Sequence, residues 1–170
     1  MISIDIRPYT PDDTAGITEL FHRSVRQVAR RDYSEAQVRA WAPDQTNLDH
    51  WRTRLAAAET WTAWIDNRLA GFTDLEADGH LDHLFVDPDF QRMGVATALV
   101  AQVERAARRH GLTRLHTEAS LTARPAFERF GFKLIAAQTV HRRGQDLRNF
   151  RMAKRLDAPA AALDAGPERS

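Results

Sequence analysis

The stretch Leu84-Phe85-Val86-Asp87-Pro88-Asp89-Phe90-Gln91-Arg92-Met93-Gly94-Val95-Ala96 decides the reading of this 170-residue chain. It reads as a strand that ends, a turn forced by Pro88, and a helix that opens on a glycine. The first N–H groups of a helix have no partner inside it, and they point outward with the positive end of the helix dipole. Such a start suits an anion. Gly94 lets a diphosphate approach the backbone with no Cβ in the way, Ala96 keeps the next turn small, and Arg92 adds a charge beside it. On the glycine alone, a plain strand-to-helix turn would look the same.

Downstream of this stretch, Val95, Leu99, Val103 and Ala106/Ala107 form an apolar stripe at helical spacing, ended near His110 by Gly111. Leu112–Glu118 follows as a short strand, Thr122–Phe130 as a short helix stopped by Gly131, and two strands, about 132–140 and 147–154, flank Arg143-Gly144. Upstream, Asp78-Gly79 is a turn leading into a strand over His80–Val86, and Asp66-Asn67 joins strands Thr60–Ile65 and Leu69–Leu75. Ile2, Ile4 and Ile6 alternate with polar residues as a first strand, and Pro8–Asp13 is a turn in which Asp12 or Asp13 can cap a helix. That helix carries Ile17, Leu20, Phe21, Val25 and Val28 on one stripe. A second helical region, Ser34 to about Ala58, is broken by Pro43. This order predicts one α/β domain over 1–156 with a mixed seven-stranded sheet flanked by helices. The strands His80–Val86 and Leu112–Glu118, linked by a helix, are predicted to run parallel. The Ala/Pro/Asp-rich segment 157–170 has no apolar period and is predicted to be a disordered tail.

Composition narrows the function. Twenty-four basic residues nearly balance 23 acidic ones, which leaves no general field for holding nucleic acid or an anionic membrane. There is no cysteine, so disulfides, thiolate metal sites and cysteine nucleophiles are excluded. His80, His116 and His141 are not at metal-ligand spacing, and no metal is expected. No apolar run approaches the ~18 residues of a membrane helix, and the alternating N-terminus is unlike a signal peptide, so a cytoplasmic location is expected.

The Gln91–Ala96 run fits a Gln/Arg-x-x-Gly-x-Gly/Ala signature after a strand, and with it the chain resembles the GNAT superfamily of N-acetyltransferases. A second block, Ser120-Leu121-Thr122-Ala123-Arg124-Pro125-Ala126-Phe127-Glu128-Arg129-Phe130-Gly131-Phe132, is similar to the family's Asn-x-x-Ala-x-x-Leu-Tyr-Glu-Lys-x-Gly-Phe helix and turn. The opening from Ile6 to Asp13 is a third likeness, and the resemblance covers nearly all of 2–156. It implies a mostly antiparallel sheet with a V-shaped splay between two central parallel strands, acetyl-CoA as cosubstrate and an amine as acceptor. Backbone groups near Phe85 and Val86 would pair with pantetheine, and Gln91, Arg92, Met93, Gly94, Val95, Ala96 and Thr97 would hold the pyrophosphate. Ser120 stands where an asparagine often contacts the cofactor. The implied activity is direct acetyl transfer to a primary amine of a small molecule or a protein, by a monomer or homodimer. A non-catalytic acyl-CoA-binding or sensing domain is the alternative.

One departure bears on the chemistry. Many members use the tyrosine of the second block as general acid, and this chain has Phe127, which donates no proton. A thiol of pKa about 8.5 is a tolerable leaving group without one. Tyr33 is the candidate to replace it, or else a partly buried ring whose hydroxyl finds a structural partner. An amine acceptor must lose a proton before attack. His83 and Glu118 rank level as the base, with Asp82 below them. Trp41, Trp51, Trp61 and Trp64 are either aromatic walls for the acceptor or core.

Overall fold

The structure is a computed structural model that describes residues 2–156. The predicted tail, 157–170, lies outside the described residues. Among the described residues seven strands are present, in two sheets rather than one. β1 (Asp5–Pro8), β2 (Glu59–Ile65), β3 (Arg68–Leu75) and β4 (Leu84–Val86) form an antiparallel sheet in that order. β5 (Arg114–Ser120), β6 (Lys133–Arg142) and β7 (Gln145–Arg155) form a second antiparallel sheet in the order β5-β7-β6. Asp66 and Asn67, with φ of 49° and 62°, make the tight turn between β2 and β3 that the sequence announces. The first strand starts at Asp5 rather than Ile2, because β2 ends at Ile65, opposite Arg68 and one residue past the Asp5↔Trp64 pair.

Helices cover both faces. On one side lie α1 (Thr14–Gln27), α2 (Glu35–Trp41) and α3 (Leu48–Ala57), the last two separated by the turn containing Pro43. Ser34 and Gln37 cap α2 reciprocally, and Asn47 caps α3 by accepting the His50 N–H. Ile17, Leu20, Phe21 and Val25 of α1 pack with Phe72 and Leu55. On the other side lie α4 (Val95–Arg109) and α5 (Arg124–Arg129). The α4 stripe is buried as its spacing predicts: Val95 and Leu99 against Ala63 and Ala70, Val103 and Ala106 against Leu115 and Met152. No helix among the described residues is long and apolar enough to cross a membrane.

The join between the sheets differs most from the expectation. The strand predicted over His80–Val86 forms a ladder only over Leu84–Val86. Asp74 Oδ1 accepts the backbone N–H groups of both Asp82 and His83, at 2.9 Å each, so a side chain takes what a ladder would use. The predicted parallel pairing with Leu112–Glu118 is confined to one bridge, His80↔His116. It consists of the Leu81 N–H on His116 O (2.9 Å) and the His116 N–H on Gly79 O (3.1 Å). One residue on, the Thr117 hydroxyl donates to Leu81 O (2.7 Å) in place of a backbone group.

Gly79 makes this join possible. Its φ is 95°, and a Cβ there would lie 2.5 Å from the Arg114 carbonyl oxygen. Both the backbone conformation and the close approach of β5 require glycine. Gly79→Ala is therefore expected to destabilise the fold by about 2–3 kcal/mol, read as a lower urea midpoint. A loss within 0.5 kcal/mol, about that of an ordinary surface change, would contradict this account of the join.

Candidate active site

A cavity of about 370 Å³ opens beside residues 82–85, at the start of β4, and residues 117–120, at the C-terminal end of β5. His83, Phe85, Glu118 and Ser120 line its strand side, Phe21, Trp41 and Trp51 its helical side, and Leu147 and Asn149 the β7 wall. Trp41 and Trp51 are thus cavity walls. Trp61 is core, and Trp64 lies under the Arg7 guanidinium at 4.8 Å.

His83 is 7% exposed and its ring is fixed from one side by Asp74. Its Nδ1 lies 2.6 Å from Asp74 Oδ2, and Asp74 is 3% exposed. A carboxylate only accepts, so Nδ1 carries the hydrogen and the neutral ring keeps its lone pair on Nε2. Trp51 packs beside the ring with centroids 5.3 Å apart, and Phe72 at 5.8 Å. A histidine oriented in this way by a buried carboxylate can take a proton from a bound nucleophile. Asp74 was not among the residues singled out from sequence. Its signal was there: it is the only charge between Leu69 and Leu75, in a strand otherwise apolar or hydroxylic.

Glu118 also lines the cavity, but its carboxylate accepts from His80 Nε2 at 2.7 Å, while Glu76 takes His80 Nδ1 at 2.6 Å. With the hydrogen bond to Glu118 the largest cause, the His80 imidazolium is held to a pKa of about 9. Glu118 is therefore paired with a cation, whereas His83 Nε2 is not. Asp82 forms an ion pair with Arg54. The Tyr33 hydroxyl donates to Arg148 O and accepts the Leu121 N–H at 2.9 Å. Burial raises its pKa, only partly offset by the Leu121 amide. Its proton is committed to the backbone, so the geometry gives it the structural role of tying the segment before α2 to β7. Ser120 Oγ accepts the Ala123 N–H at 3.0 Å, and Phe127 is buried edge-on against Phe132.

The start of α4 has the features of an anion site. Gly94 is the N-cap with φ of 85°, no side chain caps the first turn, and no acidic residue lies in it. A Cβ at Gly94 would meet only Ile4, at 4.0 Å, so the glycine is needed for its backbone angle rather than for space. Arg92, Met93 and Thr97 are exposed around it, Val95 is buried, and Ala96 is intermediate. The Gln91 carboxamide donates to Val86 O (2.9 Å) and so ties the loop to β4. The Asp87 N–H pairs with Ala70 O, which by antiparallel alternation turns Phe85's backbone groups toward β3. The groups facing the open edge of β4 are those of Leu84 and Val86, a shift of one residue from the Phe85 expected on resemblance.

Asp74, Asp82 and His83 have ligand atoms within 4.8 Å of one another, as do Glu76, His80 and Asp82. A cation at the first set would displace the three hydrogen bonds that Asp74 already accepts, and one at the second the two carboxylates on His80.

Residues 29–156 match the family model for the acetyltransferase (GNAT) domain. The chain belongs to the GNAT family. As a GNAT acyltransferase it is 37% identical over 152 residues to the uncharacterized N-acetyltransferase YafP of Escherichia coli (strain K12), covering 89% of this chain and 96% of that one. A GCN5-related N-acetyltransferase from Rhodopseudomonas palustris superposes with a TM-score of 0.88 at 32% identity, covering 92% of this chain and 98% of that chain. The GNAT fold is shared at 18% identity by PaiA N-acetyltransferase of Thermoplasma acidophilum, solved with coenzyme A (TM-score 0.74; 91% and 99% covered). It is shared at the same identity by YncA of Salmonella typhimurium, solved with acetyl-CoA (TM-score 0.71; 93% and 96% covered).

The His80 clamp gives this GNAT domain a pH-dependent stability. The folded pKa is raised from 6.5 to about 9, so the stabilisation is fully present below pH 6.5 and is lost as pH rises through 9. Glu76 and Glu118 are 46% and 39% exposed, and with that screening the loss is on the order of 1–2 kcal/mol. Urea unfolding of the wild type is expected to weaken by this amount between pH 6 and pH 9.5, and His80→Gln is expected to flatten the change. Equal slopes in the two proteins would contradict the clamp.

Proposed function

We propose that this acyltransferase moves the acetyl group of acetyl-CoA onto the primary amine of a small molecule, directly within a ternary complex. The observation that carries the reading is the buried Asp74–His83 pair at a cavity beside the start of β4, the strand that leads on to the uncapped start of α4. Acetyl-CoA supplies an activated thioester. The amides from Arg92 to Thr97 receive its pyrophosphate with the help of the α4 dipole. The edge groups of Leu84 and Val86 pair with pantetheine as an added strand would, and the thioester sits between β4 and β5, where backbone pairing is confined to the His80↔His116 bridge. The relatives solved with coenzyme A and acetyl-CoA support this cofactor.

At the acceptor, His83 Nε2 takes one proton from the ammonium, and Asp74 stabilises the imidazolium that results. The amine nitrogen then bonds to the acyl carbon as the carbon–sulfur bond breaks, and the second proton the nitrogen must lose passes to the departing sulfur or to solvent. The sulfur leaves as thiolate or takes a proton from His83 or solvent, so Phe127 needs no acid role. The cavity's size and aromatic walls support a small-molecule acceptor over a protein side chain on a folded surface.

Acetyl-CoA at 100 times its dissociation constant is expected to stabilise the protein by ~2.7 kcal/mol, a melting shift of roughly 5–11 °C. No shift would remove the cofactor from the account. His83→Gln is expected to lower single-turnover transfer by about 10²–10⁴-fold while leaving that melting shift intact. Asp74→Asn should follow it in direction, and an undiminished rate in His83→Gln would take the base role from His83.

A further inference from the structure

Around the cavity, most polar side chains are committed. Thr117 donates to Leu81 O, Ser120 accepts from Ala123, and Glu118 holds His80. Asp82 holds Arg54, and the Tyr33 hydroxyl is bonded twice. Asn149 differs in holding a buried side-chain atom without a partner. It sits on β7 directly opposite Ser120 on one side and Gln138 on the other, and it lines the cavity. Its Oδ1 is shut off from water and has no hydrogen-bond partner among the described residues. Two residues along the same face, Leu147 pairs with Val140, and both also line the cavity, so an aliphatic side chain would suit the neighbourhood.

A buried amide oxygen without a partner destabilises the protein that carries it, and such groups in a folded chain call for an explanation. The position of Asn149 supplies one. Asn149 shares the cavity with Val140 and Leu147 of the β6–β7 pair and with Tyr33 and Trp41, and no residue of the α4 start lines it. A ligand group meeting Asn149 there belongs to the acceptor rather than to the diphosphate end of the cofactor. We propose that Asn149 is a specificity-determining residue for the acceptor, its carboxamide hydrogen-bonding a hydroxyl or amide carried near the reacting amine. This rests on the acetyltransferase reading above. It narrows the acceptor class from primary amines in general to polar-substituted small amines. Recognition of this kind discriminates strongly, because an acceptor lacking the group leaves the buried carboxamide unpaired in the complex.

The test uses two matched pairs of amines that differ by a hydroxyl: propylamine against ethanolamine, and phenethylamine against its β-hydroxy derivative. Wild-type kcat/KM is expected to favour the hydroxylated member of at least one pair by roughly 10-fold or more, one buried hydrogen bond's worth. Asn149→Leu is expected to abolish that preference mainly through the acceptor KM, leaving the KM for acetyl-CoA unchanged. Its melting temperature, free of ligand, should equal or exceed that of the wild type, because an unpaired polar group has been removed. Asn149→Ala, which adds no bulk, should lose the preference in the same way. Equal rates within both pairs, a preference that survives in both variants, or a KM change confined to acetyl-CoA would overturn the inference while leaving the transferase reading intact. So would a marked drop in melting temperature in Asn149→Leu with the amine preference retained. Failure of the wild type to bind acetyl-CoA, or to acetylate any of the four amines, would instead overturn the reading on which the inference stands.

Discussion

Two backbone hydrogen bonds, from Leu81 to His116 and from His116 to Gly79, hold the two sheets together, and the site depends on where they stop. This single bridge fixes the relative position of the segment before β4 and of β5. The end of pairing beyond it leaves the edge of β4 open beside the start of α4. His83 and Leu84 lie within a few residues of the bridge on one side, and Glu118 and Ser120 on the other. The side chains at the bridge reinforce it. His80 and His116 stack with centroids 5.1 Å apart, and His80 is pinned by a carboxylate from each side of the join. A charged imidazole between two carboxylates is stronger than a neutral hydrogen bond, which suits a place where the backbone ladder is one rung long.

Asp74 links that architecture to function. One of its oxygens takes the Asp82 and His83 amides and so delays the start of β4. The other oxygen takes His83 Nδ1 and sets the tautomer. A buried carboxylate is tolerated only when its lone pairs are filled, and here three donors fill them. The same residue therefore shortens the strand and orients the ring. Loss of its charge would disturb both, whereas loss of the His83 ring would leave the two backbone bonds in place. Glu118, on the neighbouring strand, is tied to the bridge instead. The two groups that look equivalent from their positions in sequence are thus separated by what they are bonded to.

Local signals carried much of the fold. The α4 stripe, the Asp66-Asn67 turn, the break at Pro43 and the cap at Gly94 each follow from spacing or backbone preference within a few residues, and each is found. Family likeness in Gln91–Ala96 and Ser120–Phe132 then pointed to the cofactor. What stayed hidden depends on contacts between residues distant in sequence. Nothing near Glu118 announces that His80 will hold it, and nothing near Tyr33 announces that Arg148 and Leu121 will occupy its hydroxyl. The shortening of β4 was hidden for the same reason, since it turns on one aspartate side chain displacing a ladder. Asp74 itself was legible in principle as a lone charge in an uncharged strand, and the periodicity that placed the strand was the reason to ask what that charge meets.

The central claim is that the open edge of β4, the start of α4 and His83 together form one acetyl-transfer site. A crystal structure of the acetyl-CoA complex tests it most directly. The account requires the pyrophosphate on the amides of Arg92 to Thr97 and pantetheine against the backbone of Leu84 and Val86. It also requires the thioester carbon facing His83 Nε2, with room between them for one amine nitrogen. A thioester lying away from the cavity, or separated from His83 by the aromatic wall, would contradict it.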